Sequence, residues 1–139
     1  MAWDVIFYET AAGEVPAAEF LDACPPKVRG TVLAVLDAVA AAPPPSFSGG
    51  GKWEAMHGSM GGYYEVRVTG PGREQFRVFC MLENADEQEL RRRGLDGPAI
   101  TAITGMRKPH RTVFRERDYA AVRALGDDHV RCYPRRIAG

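Results

Sequence analysis

Two runs of alternating residues on either side of a glycine-rich turn constrain this chain more than any other feature. The segments GYYEVRVT (62–69) and QFRVFCMLE (75–83) are both rich in β-branched and aromatic residues. Between them, GPGRE holds the glycine and proline that tight turns favour. The pattern predicts a β-hairpin, and the fold of this chain has to accommodate it.

Two further segments predict strands outside the hairpin. WDVIFYE (3–9) alternates Trp3, Val5 and Phe7 with the residues between them, which is typical of a strand. AITAIT (99–104) is a short apolar run of the kind found in buried strands.

Apolar residues spaced three and four apart predict helices. PAAEFLDAC and KVRGTVLAVLDAVAAA form two helices that meet at Pro25-Pro26, and TVFRERDYAAVRAL (112–125) forms a closing helix. The resulting order β-α-α-β-β-β-α predicts one α+β domain over residues 1–139, with an antiparallel-rich sheet that carries the helices on one face.

Three segments lie outside these elements. The connector 43–52 is too rich in proline and glycine for a helix or a strand. The charged insertion 84–97 is predicted to be a solvated loop or a short helix. The tail 126–139 shows no periodicity that predicts a structure.

The charges of the chain are unevenly distributed although they sum to zero. Residues 1–62 hold 3 Lys and Arg against 7 Asp and Glu, residues 63–96 hold 6 against 7, and residues 97–139 hold 9 against 4. The net charges are therefore −4, −1 and +5. A basic C-terminal third suggests one face that attracts anions, although basic segments are often only solvated.

Composition narrows the class of protein. The 3 cysteines are an odd number without a CxxC motif, which argues against a disulfide framework or a zinc site and favours a cytoplasmic protein. No apolar run is long enough to cross a membrane. The start, MAWDVIFYET, does not have the pattern of a secretory signal.

The hairpin places two arginines on one face of the sheet. Because side chains alternate along a strand, Arg67 shares a face with Tyr63 and Glu65, and Arg77 lies on the strand opposite. A guanidinium pair of this kind can hold a phosphate group bidentately. The alternative is that both are surface arginines paired with Glu65 or with Glu74.

The segment GMRKPHRT (105–112) leaves the third strand as a basic turn. Lys108 and His110 are candidates for proton transfer, because histidine titrates near neutrality and a lysine among other cations has a lowered pKa. Arg107 and Arg111 are candidates for binding an extended polyanion. The alternatives are a turn histidine and a solvated loop.

These motifs together resemble a known family. GYYEVRV, QFRVFCMLE, a strand that ends in ITGMRKPHRT and the final FRERDYAAVRAL resemble the HigB-like, phage-derived branch of the RelE/ParE superfamily of type II toxin–antitoxin systems. The opening strand and helix pair are also similar, so that the resemblance covers residues 3–125.

The resemblance implies a RelE-like fold and a metal-independent endoribonuclease without a cofactor. Such an mRNA interferase cleaves mRNA, typically in the ribosomal A site, through attack of a ribose 2′-OH on the adjacent phosphate. The implied partners are mRNA, the ribosome and a cognate helix-turn-helix antitoxin. The rival hypothesis is a non-catalytic phage or mobile-element binding protein of the same fold.

The resemblance also implies roles for individual residues. Arg67 and Arg77 match the arginines expected at the scissile phosphate, and Lys108 matches the basic residue that ends the third strand. His110 follows it as the first choice for acid–base work. The residues expected to bind RNA are Arg73, Arg107 and Arg111.

Many members of the superfamily carry a further Tyr or His near the C-terminus. In this chain His129 or Tyr133 could serve as that acid or base. The alternative for His129 is a histidine paired with neighbouring carboxylates in a loose tail.

Overall fold

The computed structural model of the protein describes residues 2–42 and 51–138. Six strands and four α-helices lie within these ranges. In chain order they are β1 (Asp4–Tyr8), α1 (Pro16–Asp22), α2 (Pro26–Ala41), β2 (Trp53–Ala55), β3 (Tyr63–Thr69), β4 (Gln75–Glu83), α3 (Glu87–Arg92), β5 (Ala99–Lys108), α4 (Glu116–Arg131) and β6 (Ile137–Ala138). The strands form one mixed sheet in the order β2-β3-β4-β5-β1-β6. The predicted α+β class is confirmed.

The predicted hairpin is present and fixes the register of the site. β3 and β4 pair antiparallel from Tyr63 opposite Met81 to Thr69 opposite Gln75. A short 3-10 turn joins them, and within it Gly72 has a φ of 65°, in the left-handed region that favours glycine.

One pair of neighbouring strands in the sheet is parallel. β1 runs parallel to β5, with Asp4 opposite Ala99 and Phe7 opposite Ala102. The other pairs are antiparallel, including β1 with β6 at the edge of the sheet. β1, the first strand of the chain, thus lies between β5 and β6, the last two strands.

Helices cover both faces of the sheet, whereas the sequence predicted all of them on one face. α1 and α2 pack on the first face over an apolar core, which includes Leu21, Val32, Leu36, Val66, Phe76 and Ile100. α4 packs on the second face over a smaller cluster, formed by Tyr8, Met60, Tyr63, Phe79, Ile103 and Val122. The prediction was wrong because the helix period of residues 112–125 shows an apolar stripe without showing which face of the sheet that stripe covers.

A β-bulge in β5 changes the face to which its side chains point. Cys80 pairs with Ala102 but Phe79 pairs with Thr104, so Ile103 is the extra residue. Before the bulge, Ile100 and Ala102 belong to the α1–α2 core. After it, the even-numbered residues of β5 lie on the face that α4 covers, and the last of them is Lys108.

Several predicted boundaries were wrong. The third strand was predicted to end at residue 104, but β5 continues to Lys108, so half of GMRKPHRT is strand. β2 was not predicted, and it follows a connector of which residues 43–50 lie outside the described residues. The closing helix begins at Glu116 and continues to Arg131.

The charged insertion holds a helix, α3, where a loop insertion had been the main prediction. The Asp86 carboxylate caps its first turn by accepting the Glu89 N–H at 2.8 Å. Glu87 lies in the first turn and Arg91 in the last, an arrangement that the helix dipole favours. Many of the charged residues of this insertion therefore belong to a short capped helix.

The tail, predicted to lack regular structure, closes the sheet. Tyr8 of β1 pairs with Ile137 of β6, and the Glu9 N–H donates to the Arg136 carbonyl at 3.0 Å. α4 continues beyond the predicted end at residue 125 to Arg131, and Gly126 within it packs closely against the sheet. A Cβ at Gly126 would lie 1.8 Å from the Tyr63 hydroxyl.

A buried carboxylate joins the end of β4 to α4 and to the tail. Glu83 is 3% exposed. It accepts hydrogen bonds from Arg93 at 2.8 Å and from Arg135 at 2.9 Å, and lies 2.8 Å from Nε2 of His129. Burial raises the pKa of Glu83, but the hydrogen bonds from His129 and Arg135 outweigh this and hold it at about 2.

We expect Gly126→Ala to destabilise the protein by about 1–3 kcal/mol, because the new methyl group overpacks the contact with Tyr63. Gly30→Ala is the control: Gly30 lies on the exposed side of α2 with nothing within 4 Å of an added Cβ, so this change should stabilise by roughly 0.5–1 kcal/mol. Urea unfolding of both variants measures the difference. Equal changes in the free energy of unfolding for the two variants would contradict the close packing of α4 against Tyr63.

We expect Glu83 to contribute to acid unfolding in a defined pH range. Its pKa is lowered from 4.5 to about 2 in the folded protein, so its stabilisation is complete above about pH 4.5 and is lost as the pH falls towards 2. Glu83→Gln should lower the unfolding free energy at pH 7 and flatten its decline across that range. Glu87→Gln, at an 82% exposed side chain, should change both much less, and denaturant titrations at several pH values compare the two variants.

Candidate active site

The second face of the sheet brings together four charged side chains beside the start of α4. We call the surface formed by Glu65, Arg67, Arg77 and Lys108 the cation face. Arg67 and Arg77 are direct partners across β3 and β4, so their side chains leave the sheet side by side, as the alternation of the two strands predicted.

Arg77 is the more firmly held of the two arginines. It is 8% exposed. Its Nη1 donates to the Phe76 carbonyl and its Nη2 to Oε1 of Gln75, both at 3.1 Å. Burial lowers its pKa, although a guanidinium keeps its charge at any physiological pH. Arg67, by contrast, has a side chain 46% exposed, so one fixed and one mobile cation stand next to each other.

Glu65 lies between the two arginines. Its carboxylate is 3.7 Å from Nε of Arg67 and 3.8 Å from Nε of Arg77, which is an ion-pair distance longer than a hydrogen bond. Burial raises the pKa of Glu65, while Arg77, then Arg67 and Lys108, oppose that rise. Pairing of the arginines with Glu65, one of the two alternatives drawn from the sequence, is thus present, and Glu74 pairs elsewhere.

Lys108 reaches the cation face because of the bulge at Ile103. It lies opposite Gln75, next to the row of Arg77. Its Nζ is 4.1 Å from the centre of the Phe114 ring, a cation–π contact that holds the ammonium group in place. Burial, followed by the charge of Arg77, lowers its pKa.

A cleft of about 460 Å³ opens beside the two arginines, towards β2. Polar and cationic side chains dominate its lining. These are Thr31, Lys52, Arg67, Thr69, Gln75 and Arg77. The size falls within the range of ligand pockets, roughly 300–1,000 Å³.

Arg107, predicted to bind RNA, lies on the face of the sheet opposite the cation face. It pairs with Phe76, whose ring belongs to the α1–α2 core, and its guanidinium lies 4.8 Å from the centre of that ring. Glu74 neutralises it through hydrogen bonds of 2.6 and 2.9 Å. Its place on the first face follows from the same bulge that turns Lys108 to the second.

The other predicted basic residues lie in turns. Arg73 ends the turn between β3 and β4, and Arg111 ends the turn after β5, with φ values of 60° and 66°. Both are exposed. His110 is exposed in the second turn, two residues after Lys108, and makes no hydrogen bond or ion pair with Arg67 or Arg77 within residues 2–42 and 51–138.

Neither predicted tail residue reaches the cation face. His129 is 0% exposed and pairs with Glu83, which is six residues along β4 from Arg77, or about 20 Å. The alternative of a loose tail was wrong as well, because the carboxylate partner of His129 comes from β4. Tyr133 lies outside that buried cluster with its ring under the guanidinium of Arg92, at 4.3 Å.

Sequence reasoning missed three members of the site. Glu65 was considered only as a neutralising partner, Lys52 lay in a segment predicted to be a connector, and Phe114 was assigned to packing alone. The alternation of β3 could have placed Glu65, and the spacing of Lys108 from Phe114 gave no signal, because the two residues lie on either side of an irregular turn.

The chain matches no protein-family model, no curated protein and no solved structure with which it was compared. No helix in the described parts of the chain is long and apolar enough to cross a membrane. In the same ranges no group of three or more His, Cys, Asp or Glu side chains is placed to hold a metal ion.

The charges of the cation face should be visible in the titration of Lys108. Arg77 lowers the pKa of Lys108 and Glu65 raises it, so Glu65→Gln should lower that pKa further and Arg77→Met should raise it. NMR of the reductively ¹³C-methylated protein follows each lysine, with Lys27 on α2 as a reference that should not move. Shifts of the same sign in both variants would contradict the arrangement.

Proposed function

We propose that the protein is a HigB-like toxin of the RelE/ParE superfamily, with a RelE-like fold and a metal-independent endoribonuclease activity on mRNA. The observation that carries the proposal is the convergence of Arg67, Arg77 and Lys108 on one face around a carboxylate. Three cations at one place are what the phosphorane formed during RNA cleavage needs for stabilisation.

The proposed reaction is attack of a ribose 2′-oxygen on the adjacent phosphorus. A base removes the 2′-OH proton, the new P–O bond forms, and the bond to the 5′-oxygen of the next nucleotide breaks as that oxygen takes up a proton. Arg77 and Arg67 bind the phosphate oxygens, and Lys108 stabilises the charge that develops on them.

Two groups near the cations can transfer the protons. Glu65 is the candidate base, because burial raises its pKa towards the range in which a carboxylate accepts protons more readily. His110 is the candidate acid, and its exposed turn has to close on the substrate for this role. Lys108 as the base is the alternative, supported by the lowering of its pKa by burial and by Arg77.

The partners follow from the proposed class of toxin. They are mRNA in the A site of the ribosome and a helix-turn-helix antitoxin, and the compartment is the cytoplasm. Arg111 and Arg73, both exposed in turns, remain candidates for contacts with RNA. Such contacts would steer a polyanion without specifying its sequence.

A non-catalytic binding protein is the second candidate, and one observation favours it. Glu65 already pairs with both arginines, which is the arrangement expected if they only stabilise the sheet. The toxin requires the substrate phosphate to compete with this carboxylate for the guanidinium groups.

Expression of the wild type in a bacterial host should arrest growth and produce discrete cuts in mRNA. Arg67→Ala and Lys108→Met should abolish both effects, with cleavage reduced at least 100-fold, because each removes a cation from the transition state. Cut sites mapped by 5′-end sequencing and growth curves measure the outcome.

Arg91→Ala is the matched control, since Arg91 is an exposed arginine of α3 whose side chain is 68% accessible. It should behave as the wild type. A folded wild-type protein that neither arrests growth nor cuts mRNA, on ribosomes or free, would support the binding protein and remove the catalytic roles together with the enzyme.

A further inference from the structure

We propose that Lys52 forms a second phosphate subsite, which holds the phosphate next to the scissile one and directs the polynucleotide across β3 towards β2. This rests on the proposed function, because it takes the phosphate between Arg67 and Arg77 as the site of cleavage. It assigns a role to a residue outside the predicted basic turn.

Lys52 lies level with the two arginines. The Arg67 N–H donates to the Lys52 carbonyl at 2.8 Å, and the next residue, Trp53, is the partner of Val66. Lys52, Arg67 and Arg77 therefore form one row across three neighbouring chain segments. At about 4.8 Å between strands, the Lys52 backbone is roughly 10 Å from that of Arg77.

The cleft that this row borders is larger than one phosphate needs. It has a volume of about 460 Å³, and its lining includes the hydroxyl of Thr69 and the side chain of Gln75 as well as the three cations. Lys52 is exposed and makes no ion pair within residues 2–42 and 51–138. Its ammonium group is thus available to an anion in this cleft.

The balance of charge on this face leaves room for a second phosphate. Lys52, Arg67, Arg77 and Lys108 carry four positive charges, and Glu54 and Glu65, which pair across β2 and β3, carry two negative ones. The net charge of +2 matches two phosphodiester groups better than one. In the other direction across the sheet, Arg107 is turned to the first face and neutralised by Glu74.

The test uses ligands that cannot be cleaved. A deoxydinucleotide has one phosphate and no 2′-OH, and the same dinucleotide with a 5′- or a 3′-terminal phosphate adds an anion without adding a base. Titration of the full chain, followed by NMR at several salt concentrations, gives the affinity for each. One of the two added phosphates should increase the affinity of the wild type about tenfold, and should steepen the salt dependence by roughly 0.7 in log–log slope.

Lys52→Gln should abolish this gain, so that the dinucleotide binds with the same affinity with and without the added phosphate. Arg91→Gln is the control, because Arg91 is an exposed cation of α3 that does not line the cleft, and it should retain the gain. Loss of the gain in both variants would show unspecific charge attraction and overturn the subsite.

The remaining outcomes separate the two proposals. Cleavage of mRNA by the wild type together with no gain from either added phosphate would overturn the subsite alone. If the dinucleotide does not bind at all and no RNA is cut, the proposed function and the subsite both fall.

Discussion

The extra residue in β5, Ile103, determines which side chains of that strand face each layer of helices. Up to Ala102, the even-numbered residues of β5 face α1 and α2, and beyond Ile103 they face α4. Without that residue, Lys108 would lie on the face covered by α1 and α2, away from Arg67 and Arg77. With it, the inward position next to α1 falls to Gly105, against which the Phe20 ring packs so closely that a Cβ would lie 2.2 Å from it. One bulge thus provides both a close helix contact and the position of Lys108 on the cation face.

The cation face and the buried cluster at Glu83 lie at opposite ends of β4, and the carboxylates in them have different surroundings. Glu83 is enclosed by groups that donate hydrogen bonds to it, so its ionised form is strongly favoured and its role is structural. Glu65 has two cations at ion-pair distance without hydrogen bonds, so burial still raises its pKa. The arginines beside Glu65 are therefore freer to pair with another anion than those that donate hydrogen bonds to Glu83.

The sequence predicted the local elements better than their arrangement. Alternation along β3 and β4, with a turn of fixed length, was enough to place Arg67 beside Arg77, because the register of a hairpin is set by its turn. The bulge was not predicted: the extra residue is Ile103, and Gly105, the one glycine of ITAITGM, lies two residues beyond it. The face covered by α4, and the burial of His129 against Glu83, depend on contacts between residues far apart in the chain. The helical periodicity of residues 112–125 and the acidic residues next to His129 in the sequence are not sufficient to predict these contacts.

The position of β1 has a consequence for how the chain folds. β1 is the first strand to be synthesised, yet its neighbours in the sheet are β5 and β6, which are the last. Its hydrogen bonds therefore wait until nearly the whole chain is present, and a topology with contacts of such long sequence separation folds slowly. The hairpin of β3 and β4, by contrast, joins residues that are close together in the chain. Since β1 also pairs with β6, the first and the last strand of the described chain are neighbours in space.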